Sequence, residues 1–303
     1  MIQIVANPNA SFGMKSCQVI WRFSFDHGVI RVGMIRGLRC PGQTGETREH
    51  PAGHATNCEK PVVAVSTELS GRRCQQSRKP ALVCFPSFFP PAGLGTYGRF
   101  APCFDGERDV FEIRYPGLEE GEHVPESWDT LVAMHAEAIR SRFAGRPVVL
   151  VGHSIGGCTA QAVARKLIDA GHPPAGLVLG DTYQITEGSR TQGWMLNLPV
   201  SRVSRAGDQF EALVGDTPLA AMGAYNRMLA QSWHVEPLRI PTLLVRATTP
   251  MPDMLDGDPD REWRSSWPQP HDTVDVPGNH EELAYEEVDA FTAAIRAWIA
   301  ARC

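Results

Sequence analysis

Long apolar runs are absent from this sequence. No stretch reaches the roughly 18 residues that a membrane-spanning helix needs, so none is expected. The first 30 residues lack a basic start, a continuous apolar centre and a small-residue cleavage site, so no secretory signal is read. No C-x-x-C pair occurs among the eight cysteines, Cys17, Cys40, Cys58, Cys74, Cys84, Cys103, Cys158 and Cys303. They are scattered, and several sit in apparent core segments, which favours a reduced, cytoplasmic protein over a disulfide scaffold. Cys40, His50, His54 and Cys58 lie near one another, but their spacing fits no strong zinc pattern, so no metal is expected. There is no dense Lys/Arg run, no basic pattern interleaved with aromatics and no internal repeat.

What is present is a globular composition, 43% hydrophobic and 21% charged, enough for a sizeable core. Charge is unevenly spread. Residues 1–80 hold 11 Lys and Arg against 5 Asp and Glu; the remainder holds 18 against 29. An acidic body argues against nucleic acid as a partner, and the basic head reads as a solvated tail rather than a binding arm. Within 1–79, "CQVIWRFSFDHGVIRVGMI" has two β-branched and aromatic runs around Asp26-His27-Gly28 and suggests a hairpin. "RGLRCPGQTGETREHPAGHATNCEKP" has no apolar period and reads as linker.

From residue 80 to 303 the grammar becomes regular alternation. Short apolar runs at 81–85, 109–117, 147–154, 175–183, 241–248 and 271–280 read as strands. Between them lie a helical stretch around Tyr97–Phe104, a helix capped by Ser127 with Leu131, Met134, His135 and Ala138 at helical spacing, and a helix from Ile155 closed by Gly171. A last helix runs through "VDAFTAAIRAWIAA". Strands alternating with helices imply an α/β fold, a mainly parallel sheet with helices on both faces. About fifty residues without a sheet strand separate the strand ending near Asp181 from the one starting near Pro241, an insertion of lid size spanning about 185–237.

Chemistry enters at "VVLVGHSIGG". Gly152-His153-Ser154-Ile155-Gly156 follows a strand and opens a helix, the setting in which G-x-S-x-G means a nucleophile elbow. The backbone N–H of Ile155 then faces the oxygen of a carbonyl attacked by Ser154. A serine hydroxyl needs a base. His280 lies in a loop past the last strand, on the sheet edge that carries Ser154; His271 precedes that strand and belongs at the opposite edge, and His153, beside the serine, points elsewhere. For the acid, Asp181 directly follows the fourth strand, while Asp253, Asp256 and Asp258 follow the fifth, and spacing alone leaves the choice open. A second oxyanion donor belongs in "FPSFFPPAG", where proline has no N–H, so Phe88 or Phe89 is expected.

With these residues assembled, the segment from about Pro80 to Ala301 resembles the terminal thioesterase domains of modular type I polyketide synthases. The resemblance is carried in order by "RYPGLEEGEHVPES", "VVLVGHSIGG", "IDAGHPPAGLVLGDTY", "LAAMGAYNRML", "IPTLLVRATTPMPD" and "SSWPQPHDTVDVPGNH". It implies the α/β-hydrolase fold, Ser154 as nucleophile, His280 as base and Asp181 as acid. It also implies an acyl carrier protein as partner, whose phosphopantetheine arm brings in a polyketide chain; no cofactor belongs to the domain itself. Release is by hydrolysis or macrolactonisation. Members usually have Asp before the histidine, where Asn279 stands here. They commonly dimerise through Leu-rich N-terminal helices, a pattern missing from residues 1–80, although a homodimer is an expectation of the family. Tyr183, Trp194, Met222, Tyr225 and Met228, with Met195, Leu196, Leu198, Leu229 and Trp233 nearby, are candidates to line an acyl cavity; 222, 225 and 228–229 also fit an amphipathic helix packed on the body. The rival readings are a discrete editing thioesterase, a general carboxylesterase or lipase, and a noncatalytic binding module of the same fold.

Overall fold

In the computed structural model the described residues are 20–26, 29–35, 69–72, 79–88, 96–184, 215–232, 234–255 and 262–303. The chain divides into two units, Met1–Ala64 and Val65–Cys303. In the first, strands β1 (Ile20–Asp26) and β2 (Val29–Ile35) pair antiparallel, from Ile20 opposite Ile35 to Asp26 opposite Val29.

The second unit is built on a seven-stranded sheet. Its strands are β3 (Leu69–Arg72), β4 (Ala81–Phe85), β5 (Val110–Ile113), β6 (Val148–His153), β7 (Gly176–Gly180), β8 (Thr242–Ala247) and β9 (Asp272–Val276), in the order β3-β5-β4-β6-β7-β8-β9. All neighbours from β5 to β9 are parallel, and β3 closes one edge antiparallel to β5. β3 lies inside the stretch that the sequence reading assigned to an N-terminal extension ending at residue 79. "LSGR" has no apolar run to announce it, because an edge strand can be held by backbone pairing alone.

The central strands β4, β6 and β7 are buried along their whole length, as strands covered on both faces must be. The alternation of side chains sorts them into two cores. Ala81, Val83, Phe85 and Leu150 pack with helices α1 (Trp128–Arg142), α2 (Ile155–Asp169) and α3 (Asp216–Ser232). Leu82, Cys84, Val149 and Val151 pack on the other face with the 3₁₀ turn Ala101–Phe104 and helix α5 (Val288–Arg302). The region read as helical around Tyr97–Phe104 is therefore only a turn and a short 3₁₀ segment; Pro102 withholds a backbone donor there. A short helix α4 (Pro252–Leu255) follows β8.

Local signals explain the helix ends. Ser127, in extended conformation, accepts a hydrogen bond from the Thr130 N–H at 3.1 Å, a cap worth about 1 kcal/mol. Gly171, at φ 77°, ends α2: its N–H reaches the Ile168 carbonyl and that of His172 the Leu167 carbonyl. The buried stripe of α1 is Trp128, Leu131, Val132, His135, Ala136 and Ile139. Met134 and Ala138, expected on that face, are only half-buried.

His135 is an unusual core residue. It is wholly buried, edge-on to Phe85 and Tyr115, and neither ring nitrogen has a hydrogen-bond partner among the described residues. Burial lowers its pKa to about 3. An unfolded histidine titrates near ~6.5, so as pH falls from there the unfolded chain takes up a proton that the folded chain refuses. Stability is lost over that window by up to about 1.4 kcal/mol per pH unit. We expect His135→Leu to flatten urea-derived stability between pH 6.5 and pH 4; an unchanged slope would refute this.

Candidate active site

The elbow is built by close approaches that only glycine permits. Ser154 lies between β6 and α2 at φ 56°, ψ −130°, a conformation that residues with a side chain rarely adopt. A Cβ on Gly152 would meet the Gly156 carbonyl oxygen at 2.4 Å, and one on Gly156 would meet the Phe85 carbonyl oxygen at 2.0 Å. Gly157 would strike the Thr182 hydroxyl at 1.9 Å. These glycines let the ends of β4, β6 and β7 converge under the serine. The Ser154 N–H then donates to the Gly180 carbonyl at 2.8 Å, which ties the elbow to the strand that delivers the next residue, Asp181.

Asp181 also has a positive φ, 40°, a conformation that aspartate tolerates better than most residues. Its N–H donates to the Val245 carbonyl at 2.7 Å. The carboxylate is fully buried, and each oxygen has two donors. Oδ1 accepts from the Ser265 hydroxyl at 2.8 Å and the Ala247 N–H at 3.2 Å. Oδ2 accepts from the Tyr183 phenol at 3.0 Å and from His280 Nδ1 at 2.8 Å. Burial by itself would raise this carboxyl, but the hydrogen bond and charge of His280, with the bonds from Ser265 and Ala247, outweigh it and hold the group below the usual carboxylate range.

His280 completes the set, its Nε2 lying 2.9 Å from Ser154 Oγ. Because an ionised carboxylate only accepts, Nδ1 carries the proton, and Nε2 is left to receive one from the serine. The loop that bears His280 is held by several bonds. The N–H groups of Thr248 and Thr249 both donate to the Gly278 carbonyl. Asn279 Oδ1 accepts from the N–H groups of Glu281 and Glu282, and Glu282 Oε2 accepts in return from the Asn279 N–H at 2.9 Å. That reciprocal cap uses only an oxygen acceptor at position 279. A neutral asparagine supplies one as well as an aspartate would.

Ser154, Asp181 and His280 are thus brought into one hydrogen-bonded chain, from β6, β7 and the loop after β9. His271 lies at the start of β9, its Nδ1 2.6 Å from the Gln269 carbonyl oxygen. Ile155 is the first residue of α2, where the N–H has no partner within the helix. Phe88 is buried, its ring set against Tyr115 and Tyr225. Phe89, Trp194, Met195, Leu196, Leu198, Trp233, Asp256 and Asp258 lie outside the described residues, as does most of the insertion. Within α3, Met222 and Met228 are half-buried against the core, while Tyr225 is fully buried and donates its hydroxyl to the Pro116 carbonyl. Tyr183, named from sequence as a cavity residue, is buried with its hydroxyl on the Asp181 carboxylate.

Two neighbours of this chain escaped the sequence reading. Ser265 reaches Asp181 across 84 residues, and no local pattern marks it. His153 was read as pointing elsewhere; instead its ring lies 4.9 Å from that of His280, with Nε2 2.8 Å from the His280 carbonyl oxygen. The Asn279-x-x-Glu282 cap also went unread, although its spacing is that of a capping box.

A hydroxyl, an imidazole and a buried carboxylate in this order form the arrangement of serine acyl-transfer enzymes. Comparison with known proteins identifies the family. A family model of the thioesterase domain matches residues 80–299. The chain is 38% identical over 221 residues to polyketide synthase GfsE of Streptomyces halstedii, covering 73% of this chain and 6% of that protein. It is 35% identical to erythronolide synthase EryA3 of Saccharopolyspora erythraea, covering 72% and 7%, and 40% identical to naringenin synthase of Pestalotiopsis fici, covering 67% and 8%. The chain therefore spans less than a tenth of the length of these curated relatives. Among solved structures, the NocB thioesterase domain from the nocardicin cluster superposes with a TM-score of 0.58 at 18% identity, covering 77% of this chain and 98% of that one. RedJ, a thioesterase from the prodiginine pathway of Streptomyces coelicolor, gives 0.54 at 22%, covering 79% and 96%. The chain belongs to the thioesterase domain family, enzymes of the α/β-hydrolase fold that act on acyl thioesters.

Proposed function

We propose that this domain releases a polyketide chain from the phosphopantetheine arm of an acyl carrier protein through an acyl-Ser154 intermediate. The observation that carries the reading is the unbroken chain Ser154 Oγ, His280, Asp181, at 2.9 and 2.8 Å, in a thioesterase domain whose relatives are polyketide synthases.

The steps follow from the proton positions. Ser154 Oγ attacks the thioester carbonyl while its proton passes to His280 Nε2, and Asp181 stabilises the imidazolium. The oxyanion accepts from the N–H groups of Ile155 and of Phe88 or Phe89, each such bond contributing roughly 10²–10³ in rate. The carbon–sulfur bond breaks, and the departing thiol takes the proton from His280. Water, or a hydroxyl of the chain itself, then attacks the ester with His280 again as base, giving an acid or a macrolactone. Met222 and Met228 of α3 are half-buried against the core cluster that includes Phe88, Tyr115 and Tyr225, which suits an apolar acyl chain.

The test uses pantetheine thioesters of hydroxyacyl chains alongside the matching oxygen esters, with mass analysis of products and of the protein. Thioesters are expected to be cleaved at least tenfold faster, with the acyl mass on Ser154. Faster cleavage of oxygen esters would point to a general carboxylesterase, and no turnover of either would point to a binding module. Accumulating lactone identifies cyclisation, and acid alone hydrolysis.

A further inference from the structure

The mechanism above makes no use of His153, and the packing around it asks why an imidazole stands there. It is the last residue of β6, in register with Gly180 of β7. It is buried, 5% exposed. Its Nε2 lies 2.8 Å from the carbonyl oxygen of His280, across 127 residues of sequence. A carbonyl only accepts, so Nε2 must bear the hydrogen in this contact. The two rings lie with centroids 4.9 Å apart and planes 31° from parallel, and the Tyr183 ring flanks His280 at 5.7 Å.

The base has a long way to reach. His280 follows β9, the outermost strand, and the order β6-β7-β8-β9 leaves two strands between it and the nucleophile's strand. Each intervening strand contributes a hold: Asp181, after β7, takes Nδ1, and Thr248 and Thr249, after β8, take the Gly278 carbonyl. Neither ties the base to the strand that leads into Ser154. His153 does, since it is covalently joined to Ser154 and grips the main chain of His280 itself. An error of about 1 Å in placing a reacting group can cost on the order of 10² in rate, so a tether between adjacent partners has a direct kinetic consequence.

We propose that His153 is a positioning residue. Its Nε2–H, bonded to the His280 carbonyl, sets the distance between the His280 imidazole and Ser154 Oγ. This rests on the reading of His280 as the base for Ser154. Ordinary filling of space by the ring is the competing account, and it predicts that any planar side chain of similar size will serve.

Three substitutions separate the two. His153→Phe keeps a ring and removes the donor; His153→Gln carries an N–H at about the reach of Nε2 without a ring; His153→Asn carries one that stops short. Melting temperature, kcat and KM on a pantetheine thioester, and the rate of Ser154 labelling by a fluorophosphonate are measured for each. The expectation is a fall of about 10–100-fold in kcat and in labelling rate for Phe and Asn, with KM within twofold, and recovery to within about threefold of the native protein for Gln. Native rates in His153→Phe, or a Gln variant no better than Asn, would overturn the proposal. Should the Phe variant not fold, the Gln–Asn pair decides alone. Failure of the native protein to label would instead strike the reading of Ser154 and His280, so the two failures are told apart.

Discussion

Ser154→Ala is expected to abolish turnover of acyl thioesters, lowering kcat by about 10⁴–10⁶-fold, and to remove fluorophosphonate labelling altogether. The hydroxyl is the atom that becomes the ester, and no neighbouring group substitutes for it. His280 Nε2 would face a methyl group in place of the oxygen now 2.9 Å away. Residual rate over the uncatalysed reaction would come from the oxyanion donors and binding alone. The fold should survive, since the Ser154 side chain makes no capping bond to α2 and the elbow is held by backbone. Alanine at φ 56° bears the same strain as serine, so melting should shift by no more than a few degrees. Intact-mass analysis after probe treatment is the measurement; stoichiometric labelling of the alanine variant would show that another residue is the nucleophile.

The second large effect concerns the carboxylate. Asp181→Asn keeps the shape of the side chain but replaces an oxygen that only accepts with an NH₂ that only donates. Depending on which way the amide faces, either the His280 and Tyr183 donors or the Ser265 and Ala247 donors lose an acceptor. The tautomer of His280 is no longer enforced and its imidazolium no longer stabilised, so kcat should fall by about 10⁴-fold with KM little changed. Asp253→Asn, at the alternative acid position, should leave kcat within threefold. The reverse pattern would move the acid to the loop after β8. The two variants also differ in acid behaviour. Because Asp181 titrates below the usual carboxylate range when folded, it contributes stability that is lost as pH falls through that depressed value. Asp181→Asn should therefore remove part of the acid sensitivity at the lowest pH values, in addition to that arising from His135.

Much of this arrangement was legible in one dimension because its parts are local. A β-branched run ending in Gly152-His153-Ser154-Ile155-Gly156 and followed by an alanine-rich helix announces strand, turn and helix together. The two glycines are needed by backbone atoms within a few residues or on the neighbouring strand. The strand runs and the caps at Ser127 and Gly171 are likewise short-range signals. Parallel topology then confines residues that follow strands to one edge, which is why His280 was separable from His271.

What hid from the sequence is whatever depends on packing between distant segments. β3 has no hydrophobic run, and its place in the sheet rests on backbone pairing with β5. Tyr183 was named only as a candidate to line the acyl cavity; that its hydroxyl meets the Asp181 carboxylate became visible only in the fold.

The sequence by itself determined the alternation of strands and helices, the serine elbow and the short list of acids and bases at one sheet edge. Those features are written in periodicity and in steric needs that span a few residues. Only the tertiary structure decided that Asp181 is the carboxylate on His280, that Ser265 and Tyr183 share it, and that His153 grips the histidine loop. Hydrogen bonds reaching across 84, 99 and 127 residues leave no local trace, because the chain between their ends is free to vary so long as the sheet sets their spacing.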